Sequence, residues 1–490
     1  MISLRKLVLE ACLDTSKKDV IPDRAIRGLE CDSRKVQKDF LFVAIRGVKK
    51  DGADFIKEAV ARGAAAVVAD REECRPLVPK AVPFIVAPEG RLAMAKLAAA
   101  FYGKPAGKLK VIGITGTNGK TTSSFLVEHL LAAENKKTGV MGTINYRFGG
   151  KELPALETTP GPLKIQEILS EMVKADCRYA VMEVSSHALD QQRVSEIDFE
   201  GALFTNLTQD HLDYHGTLES YFECKSRLFL GLSKDRFAVL NADDPWVSRL
   251  EGKVKSRVVT YGLRNESDLG GREVRWESGA TCFDLFWNGE KIKVEIPLIG
   301  VHNVYNALGA LGVMAGLGFD VKKAAAALKN FGGVPGRLEA VNAGQDFLVF
   351  VDFAHTPDGL QNVLASLKPY QKNKLIVVFG CGGDRDRTKR PRMGKSAAEL
   401  CDFVYVTSDN PRSEDPGVIA DEIRAGFPAD FKKYSVTLDR KKAIRQALLS
   451  ARDGDIVLLA GKGHERTQVV GDKALPFSDR EEAERVLRGH

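Results

Sequence analysis

The stretch Leu109-Lys-Val-Ile-Gly-Ile-Thr115, followed at once by Gly116-Thr-Asn-Gly-Lys-Thr-Thr122, is the most informative part of this chain for its class of fold. The apolar run predicts a strand, and the glycine-rich residues after it lead into a helix. Glycines let backbone N–H groups face phosphate oxygens, and the N terminus of a helix favours negative charge. Lys120 would reach the terminal phosphates of a nucleotide, and the Thr121 hydroxyl would bind Mg²⁺. The segment therefore predicts an ATP site.

The loop departs from the general phosphate-binding pattern at one position. Ile114 stands five residues before Gly119, where that pattern has glycine. The alternative is a glycine-rich turn that joins strand to helix without a ligand. Because Gly-Lys-Thr lies where the helix begins, we favour a nucleotide site, with contacts from Gly116, Thr117, Asn118, Gly119, Lys120, Thr121 and Thr122.

Apolar runs of strand length alternate with helical patterns on both sides of this loop. The runs are Phe40–Ile45, Ala64–Ala69, Pro83–Ala87, Ala180–Val184, Ala202–Asn206, Phe237–Asn241, Phe347–Val351, Leu375–Phe379, Phe403–Thr407 and Asp455–Ala460. Such alternation predicts parallel sheets with crossover connections. Breaks at 102–108 and 332–336 divide the chain. We therefore predict three α/β domains: residues 1–105, a central P-loop ATPase-like domain with a parallel sheet at 106–333, and a Rossmann-like domain at 334–490.

Composition limits the class of protein. The chain has 490 residues, 44% of them hydrophobic and 28% charged, and a formal net charge of +7. These values are typical of a globular protein and exclude a disordered chain or a dedicated nucleic-acid binder, while an anionic substrate is permitted. The apolar run Ala307–Phe319 is shorter than the roughly 18 residues of a membrane span. No signal peptide or C-x-x-C pair is present, so we expect a cytoplasmic protein without zinc or disulfides.

Polar residues follow two further predicted strands. Glu183 lies at the end of the run Ala180–Val184, and Asp210-His211 follows the run Ala202–Asn206. Strand ends line the crevice of a doubly wound sheet, so these residues can bind Mg²⁺ there, although each one alone is better explained as a polar strand end in solvent. Lys225, by contrast, has the pattern of a surface lysine on an amphipathic helix.

Several motifs, in order along the chain, resemble those of the Mur ligases. They are Cys31-Asp-Ser-Arg34, Gly116–Thr122, Met182–His187, Asn206–Gly216, His302–Asn306, Gly336-Arg337 and Val351–Pro357. The resemblance is nearest to the members that add the third amino acid of the muramyl peptide. It implies ATP-dependent amide-bond formation through an acyl phosphate in cytoplasmic peptidoglycan precursor synthesis. The implied substrates are UDP-N-acetylmuramoyl-L-alanyl-D-glutamate, bound at its uridine end by the N-terminal domain, ATP and meso-2,6-diaminopimelate, and we expect a monomer.

The resemblance also implies roles for single residues. Thr121, Glu183, His211 and Lys225 match ligands of Mg²⁺, with Lys225 carbamylated, and the implied catalytic set is Lys120, Lys225, Glu183 and His211. Further ATP contacts are implied for Asn303, Asn306, Arg337 and Asp352. Contacts to the UDP-muramyl peptide are implied for Cys31, Ser33, Glu157, Thr158, Thr159, Ser185, Gln191 and Arg193. Glu157 stands where some relatives have Asn, and Val48-Lys-Lys50 replaces a His-Gln-Ala segment of relatives, which puts the uridine contacts there in doubt.

The run Asp409-Asn410-Pro411-Arg412 points to the amino acid that is added. Diaminopimelate ends in an amine and a carboxylate, lysine in an amine alone, and a guanidinium can hold the extra carboxylate with two hydrogen bonds. The resemblance implies that Arg390, Gly461 and Glu465 contact the same substrate. The alternative from the residues is a type I turn with Arg412 in solvent.

Three other functions are alternatives. One is an L-lysine-adding ligase, and another is a different Mur or folylpolyglutamate-type amide ligase. The third is a nucleic-acid-binding P-loop ATPase, supported by a basic cluster at Arg385, Arg387, Lys389, Arg390, Arg392 and Lys395. Asp384 and Asp386 interrupt that cluster and no aromatic platform accompanies it, so we expect no nucleic-acid partner.

Overall fold

The computed structural model describes residues 1–13, 21–47, 50–250, 252–277 and 279–489. Val48 and Lys49, where the sequence departs from the Mur ligase pattern, lie outside the described residues. The chain forms two compact units. The first comprises Met1–Gly270, Phe286–Glu290 and Tyr305–Ala325, and the second comprises Gly271–Leu285, Lys291–Val304 and Ala326–His490.

The N-terminal part of the first unit contains a four-stranded parallel sheet in the order β3-β4-β5-β6. The four strands of this sheet are β3 (Gly28–Glu30), β4 (Phe40–Ala44), β5 (Ala64–Ala69) and β6 (Phe84–Val86). The strands β1 (Ile2–Ser3) and β2 (Ala25–Ile26) pair separately with each other. The helices are α1 (Leu4–Glu10), α2 (Ile56–Ala61) and α3 (Gly90–Phe101). Helix α3 is rich in alanine, the residue with the highest helix propensity, and it packs against α1 with Leu97 and Ala98 buried. The three apolar runs predicted here as strands are confirmed.

A larger sheet surrounds β7, the strand that leads into the glycine-rich loop. Its parallel strands follow the order β8-β11-β7-β12-β13-β14. The strands from here on are β7 (Lys110–Thr115), β8 (Thr138–Met141), β9 (Asn145–Phe148), β10 (Lys151–Pro154), β11 (Tyr179–Glu183), β12 (Phe199–Phe204), β13 (Phe237–Asn241), β14 (Arg257–Gly262), β15 (Leu269–Glu277), β16 (Ala280–Trp287) and β17 (Glu290–Ile296). Their helices are α4 (Lys120–Ala133), α5 (Pro162–Lys174), α6 (Ser186–Asp190), α7 (Leu212–His215), α8 (Leu218–Leu230), α9 (Val301–Gly316) and α10 (Val321–Ala327). The predicted α/β class is confirmed, and β7 lies between β11 and β12, whose ends carry the predicted site residues.

The edge of this sheet differs from the all-parallel prediction. Strands β8, β9 and β10 form an antiparallel meander, in which β9 and β10 are joined at Gly149 and Gly150. Both glycines have positive φ, at 54° and 78°, as a two-residue hairpin turn requires. Tyr146 and Phe148 are buried while Asn145 and Arg147 are only partly so, which is the alternation of a half-buried strand.

The C-terminal part of the second unit is built on a six-stranded sheet in the order β18-β19-β23-β20-β21-β22, parallel except for β18. The six strands of this sheet are β18 (Glu339–Ala340), β19 (Leu348–Asp352), β20 (Leu375–Phe379), β21 (Phe403–Val406), β22 (Tyr434–Val436) and β23 (Ile456–Ala460). Two further strands, β24 (Thr467–Val470) and β25 (Lys473–Pro476), form a separate antiparallel pair. The helices are α11 (Pro357–Leu367), α12 (Lys389–Leu400), α13 (Pro416–Arg424), α14 (Arg440–Ser450) and α15 (Asp479–Leu487). This arrangement confirms the Rossmann-like prediction.

Both faces of that sheet are buried, which explains why its strands are apolar throughout. Leu375, Val377 and Phe379 of β20 belong to one core cluster, whereas Ile376 and Val378 belong to the cluster on the other face. Short 3₁₀ helices complete the chain at Ser33–Lys35, Gly52–Phe55, Glu72–Leu77, Pro105–Lys108, Val247–Leu250, Leu328–Asn330 and Lys368–Tyr370. Among the described residues, no helix has both the length and the apolarity to cross a membrane.

Candidate active site

The glycine-rich loop closes tightly between β7 and α4. Gly116 and Gly119 have φ values of 146° and 84°, in the region that favours glycine. A Cβ at Gly116 would lie 1.9 Å from Thr205 Oγ1, and a Cβ at Gly119 would lie 2.3 Å from Asn306 Oδ1. Only glycine therefore fits at these two positions.

Residues after β12 hold the loop in shape. The Thr117 N–H donates to the Asn206 carbonyl at 2.8 Å, and the Asn118 N–H donates to Asn206 Oδ1 at 3.0 Å. The Thr205 hydroxyl donates to the Asn118 carbonyl at 2.6 Å. The role of Thr205 was missed by the sequence reasoning, although its place directly after a strand next to β7 is a usable signal. These bonds fix the backbone that would face the phosphates.

Lys120 lies at the first position of α4 and reaches back over the loop. Its ammonium donates to the carbonyls of Gly116 and Thr117 at 2.9 and 2.8 Å. The positive charge is thus held at the mouth of the loop, next to the N terminus of a helix. Both features favour a bound anion.

Glu183 and Thr121, two of the predicted magnesium ligands, are adjacent. The Thr121 hydroxyl donates to Glu183 Oε2 at 3.0 Å, and the carboxylate is buried at the end of β11. The Thr143 N–H donates to Glu183 Oε1 at 3.0 Å, and the Thr143 hydroxyl donates to Glu183 Oε2 at 2.9 Å. Sequence reasoning missed Thr143. A hydroxyl and a carboxylate held together offer the oxygen donors that Mg²⁺ prefers.

His211 lies in a group of aromatic rings. Its side chain is about half exposed, its Nε2 is 3.5 Å from Asp210 Oδ2, and its ring packs edge-on against His187 at 4.9 Å. In the described part of the chain, no three His, Cys, Asp or Glu side chains converge where they could hold a metal ion. The participation of His211 in a magnesium site therefore stays a prediction.

The prediction that Lys225 is a surface lysine was wrong. Its side chain is 1% exposed, and its ammonium donates to the Gly116 carbonyl at 2.9 Å. It also lies 4.5 Å from the centre of the Tyr221 ring. Burial, and after it the charge of Lys120, holds the pKa of Lys225 well below its usual value. The available signal was the spacing in α8, because Lys225 falls one helical turn from Tyr221, on the face that is buried.

The predicted acceptor contacts lie beside Glu183. The Thr159 hydroxyl donates to the Glu183 carbonyl at 2.8 Å and accepts from the Ser185 N–H at 3.0 Å. The hydroxyls of Thr158 and Thr143 share a hydrogen bond of 3.0 Å. The structure therefore links the segment around Thr158 and Thr159 directly to the side chains at the end of β11.

Arg193 is held by neighbours from the same predicted set. It donates to Glu157 Oε2 at 2.5 Å and to the Thr159 carbonyl at 2.7 Å through Nη1, and to Gln191 Oε1 at 2.9 Å through Nη2. In the N-terminal part, the buried Ser33 hydroxyl donates to Glu58 Oε2 at 2.7 Å, whereas Cys31 is exposed.

The predicted nucleotide contacts of the second unit include one buried carboxylate. Asp352 accepts hydrogen bonds from the N–H groups of Leu338 and Ala354 at 2.7 and 2.8 Å. Burial raises its pKa, and the charge of Arg337 opposes that rise. Asn303 donates to the Ile299 carbonyl at 2.9 Å. In the first unit, Asn306 Oδ1 accepts from the Ser123 hydroxyl at 3.4 Å.

The residues predicted to bind the amino acid converge after β21 and β23. Arg412 is half-buried with φ of 51°, and its Nη1 donates to the Gly383 carbonyl at 2.7 Å. Asn410 donates to Glu465 Oε2 at 2.9 Å. Gly461, with φ of 113°, passes so close to the buried Asp409 that a Cβ would lie 2.7 Å from Asp409 Oδ2. Pro411 is buried between these residues.

Arg390 supports this region from inside the fold. Its side chain has no exposed surface and is bound by Glu414 at 2.8 Å and Glu422 at 2.5 Å. Its Nη2 also donates to the Gly382 carbonyl at 3.3 Å. Its guanidinium is thus occupied by protein carboxylates, which sequence reasoning did not foresee. Sequence reasoning also missed Lys462, which is fully buried beside Asn410 and Glu465.

Comparison with known proteins adds the following matches. Residues 25–102 match the domain described as Mur ligase family, catalytic domain, residues 114–314 match the Mur ligase middle domain, and residues 336–463 match the Mur ligase, glutamate ligase domain. The chain is 47% identical over 485 residues to a UDP-N-acetylmuramoyl-L-alanyl-D-glutamate–2,6-diaminopimelate ligase of Gloeobacter violaceus, covering 99% of this chain and 98% of the relative. It is 44% identical to the protein of the same name from Geobacillus thermodenitrificans, covering 94% and 95%. A solved structure of a ligase with that name matches with a TM-score of 0.72 and 33% identity, covering 99% of each chain.

Proposed function

The chain belongs to the Mur ligase family, and we propose that it adds meso-2,6-diaminopimelate to UDP-N-acetylmuramoyl-L-alanyl-D-glutamate with ATP. The observation that carries this proposal is the convergence of Arg412, Asp409, Asn410 and Glu465 in a chain whose relatives carry that name. We further propose three domains at 1–105, 106–333 and 334–490, a cytoplasmic location and a monomeric state.

The first chemical step is phosphoryl transfer to the acceptor. An oxygen of the glutamyl γ-carboxylate attacks the γ-phosphorus of ATP, and the bond between that phosphorus and the β,γ-bridging oxygen breaks. ADP departs, and the acceptor now carries an acyl phosphate. Two anions must approach each other, so positioning and positive charge supply most of the rate. Lys120 and the loop N–H groups supply this charge, and the residues around Arg193 hold the anionic acceptor.

The second step joins the amino acid. The neutral amine of the substrate attacks the acyl carbon, inorganic phosphate leaves, and the new amide nitrogen loses one proton. Asp409 and Glu465 would bind an ammonium group of the amino-acid substrate. No protein nucleophile is required, because the acyl phosphate is already activated.

Mg²⁺ fits the donor set formed by Thr121 and Glu183, and His211 would contribute a nitrogen. When bound, it would neutralise phosphate charge. Lys225 would take part as a carbamate, formed when its neutral amine adds carbon dioxide and releases a proton. The buried, lowered-pKa amine supports this proposal, since only the neutral form reacts.

Selectivity for diaminopimelate would come from Arg412. Its guanidinium is held by the Gly383 carbonyl, and its remaining N–H groups can bind the second carboxylate of diaminopimelate. Lysine lacks this second carboxylate, so the positive charge of the Arg412 guanidinium would have no partner on a lysine substrate. L-Lysine is therefore expected to be the poorer substrate.

A substrate screen tests the proposal. Purified protein with the UDP-linked dipeptide, ATP and Mg²⁺ should release phosphate rapidly with meso-diaminopimelate and slowly with L-lysine. Equal rates would exclude selectivity, and release without the UDP-linked dipeptide but with polyglutamylated folate would identify the other amide ligase.

A further inference from the structure

Lys462 is a fully buried lysine inside the proposed amino-acid site. It follows β23 and lies between Gly461 and Gly463, both of which have positive φ. A Cβ at Gly463 would lie 2.7 Å from Phe353 Cβ, so the backbone turns where only glycine fits. This turn brings the lysine into the interior of its domain.

The ammonium of Lys462 binds two residues of the proposed site. It donates to Glu465 Oε2 at 2.8 Å and to Asn410 Oδ1 at 3.1 Å, and it lies 3.9 Å from Asp409 Oδ1. The Asn410 amide also donates to Glu465 Oε2, at 2.9 Å. One carboxylate oxygen of Glu465 is thus fixed by two donors that hold each other in place.

Lys462 and Glu465 differ in exposure, and therefore in whether each can contact a ligand. The Glu465 side chain is 34% exposed and can meet a ligand, whereas the Lys462 side chain is 0% exposed and cannot. Any effect of Lys462 on a substrate must therefore pass through Glu465, Asn410 or Asp409.

Charges around this cluster are close to balance. Lys462 and Arg440 face the carboxylates of Asp409, Glu465 and Asp479, and His464 also lies near Glu465. Burial raises the pKa of Asp409. Burial would also raise the pKa of Glu465, but the hydrogen bond and charge of Lys462 bring it below its usual value. Two fixed cations thus face three carboxylates, which leaves one negative charge without a partner for a ligand's ammonium to meet.

We propose that Lys462 is a positioning residue that fixes the Glu465 carboxylate and the Asn410 amide as a preformed counter-ion for the ammonium of the added amino acid. This inference rests on the proposed function, which supplies the amino acid. The first test is equilibrium binding of meso-diaminopimelate to protein that holds the UDP-linked dipeptide and a non-hydrolysable ATP analogue.

Lys462→Met should weaken this binding by about 10- to 100-fold, the range expected for a lost charged hydrogen bond. The KM values for ATP and the UDP-linked dipeptide should stay unchanged. The matched control is Lys473→Met, which removes an exposed lysine of β25 in the same unit. Equal losses for all three substrates, or unchanged binding of diaminopimelate, would overturn the proposal.

The pH dependence separates positioning from a general loss of stability. In the unchanged protein, Glu465 stays ionised, so its own titration should not reduce affinity between about pH 5 and 8. In Lys462→Met the pKa of Glu465 rises, and affinity should fall as the pH is lowered through that range, since protonation removes the negative charge. A variant with a flat profile would contradict the proposal.

A double variant tests whether Lys462 acts through Glu465. Adding Lys462→Met to Glu465→Gln should cause little further loss, whereas additive losses would overturn the proposal. Lys462→Gln, which retains an N–H donor, replaces the methionine variant if the latter does not fold. If neither folds, Glu465→Gln alone decides: it should weaken the binding of diaminopimelate and leave the KM values for ATP and the UDP-linked dipeptide unchanged, and unchanged binding of diaminopimelate would overturn the proposal. Failure of the unchanged protein to use diaminopimelate at all would refute the proposed function instead.

Discussion

Lys120 and Lys225 both donate to the carbonyl of Gly116, each at 2.9 Å. Two ammonium groups on one acceptor repel each other, and the buried one is the easier to deprotonate because it lacks water. The side chains thus divide into a half-buried cation at the mouth of the loop that suits phosphate and a fully buried amine that suits carbamylation. The sequence pattern predicted a phosphate contact for Lys120 but a surface position for Lys225, because the burial of Lys225 depends on how α8 packs against the loop.

Carbamylation of Lys225 has a spectroscopic test. Protein equilibrated with ¹³C-labelled bicarbonate should show one carbamate carbonyl signal, because the neutral buried amine adds carbon dioxide. Lys225→Arg should lack this signal, while Lys234→Arg, at a lysine in an exposed position, should retain it. A signal that persists in Lys225→Arg would assign the carbamate elsewhere.

Arg412 should control the choice of amino acid. Arg412→Asn keeps a residue type that tolerates φ of 51°, but removes the guanidinium. We expect the KM for meso-diaminopimelate to rise about 10- to 100-fold and the rate with L-lysine to change little. Steady-state phosphate release measures both. Arg385→Asn, at an exposed arginine nearby, is the control, and a similar change there would remove the special role of Arg412.

The conformation of the glycine-rich loop between β7 and α4 depends on how closely the loop packs against the residues that follow β12. Gly116→Ala would place a Cβ 1.9 Å from Thr205 Oγ1 at a φ that alanine avoids. Binding of an ATP analogue, measured by calorimetry, should be lost. Gly107→Ala is the matched control, because no atom lies within 4 Å of its added Cβ. Unimpaired binding by Gly116→Ala would show that the loop can rearrange.

Helix α15 is tied to the C-terminal sheet by a buried ion pair. Arg440 of α14 binds Asp479 at 2.6 Å, both side chains are 0% exposed, and Arg440 also donates to the Ala460 carbonyl at 2.9 Å. Arg440→Met leaves a buried charge without its partner and should lower the free energy of unfolding by about 3–5 kcal/mol. Denaturant unfolding should show a change within about 0.5 kcal/mol for Arg424→Met, which removes an exposed pair. Equal values for both variants would contradict this account.

The strands were the part of the fold that the sequence predicted best. Runs such as Phe237–Asn241 and Leu375–Phe379 coincide with β13 and β20, because a strand buried on both faces is apolar throughout. The hairpin β9–β10 was missed, since its strands are short and half polar. Thr143, Lys225 and Lys462 were missed for a different reason. A polar side chain becomes part of a site through contacts with distant residues, and local patterns do not show these.

At the scale of the whole molecule, the net charge of +7 is compatible with small anionic substrates. Two arginines of the basic cluster that supported a nucleic-acid partner are paired with carboxylates within the second unit, and one lysine is hydrogen-bonded there. Arg387 binds Glu422, Arg390 binds Glu414 and Glu422, and the Lys389 ammonium donates to the His355 carbonyl. Paired charges of this kind favour a structural role for the cluster.

The most direct test of the central claim is a competition experiment. The protein is given ATP, Mg²⁺ and the UDP-linked dipeptide with equal concentrations of meso-diaminopimelate and L-lysine, and the product is identified by mass spectrometry. We expect the UDP-linked tripeptide to carry diaminopimelate almost entirely. A product that carries lysine, or a mixture in equal parts, would contradict it.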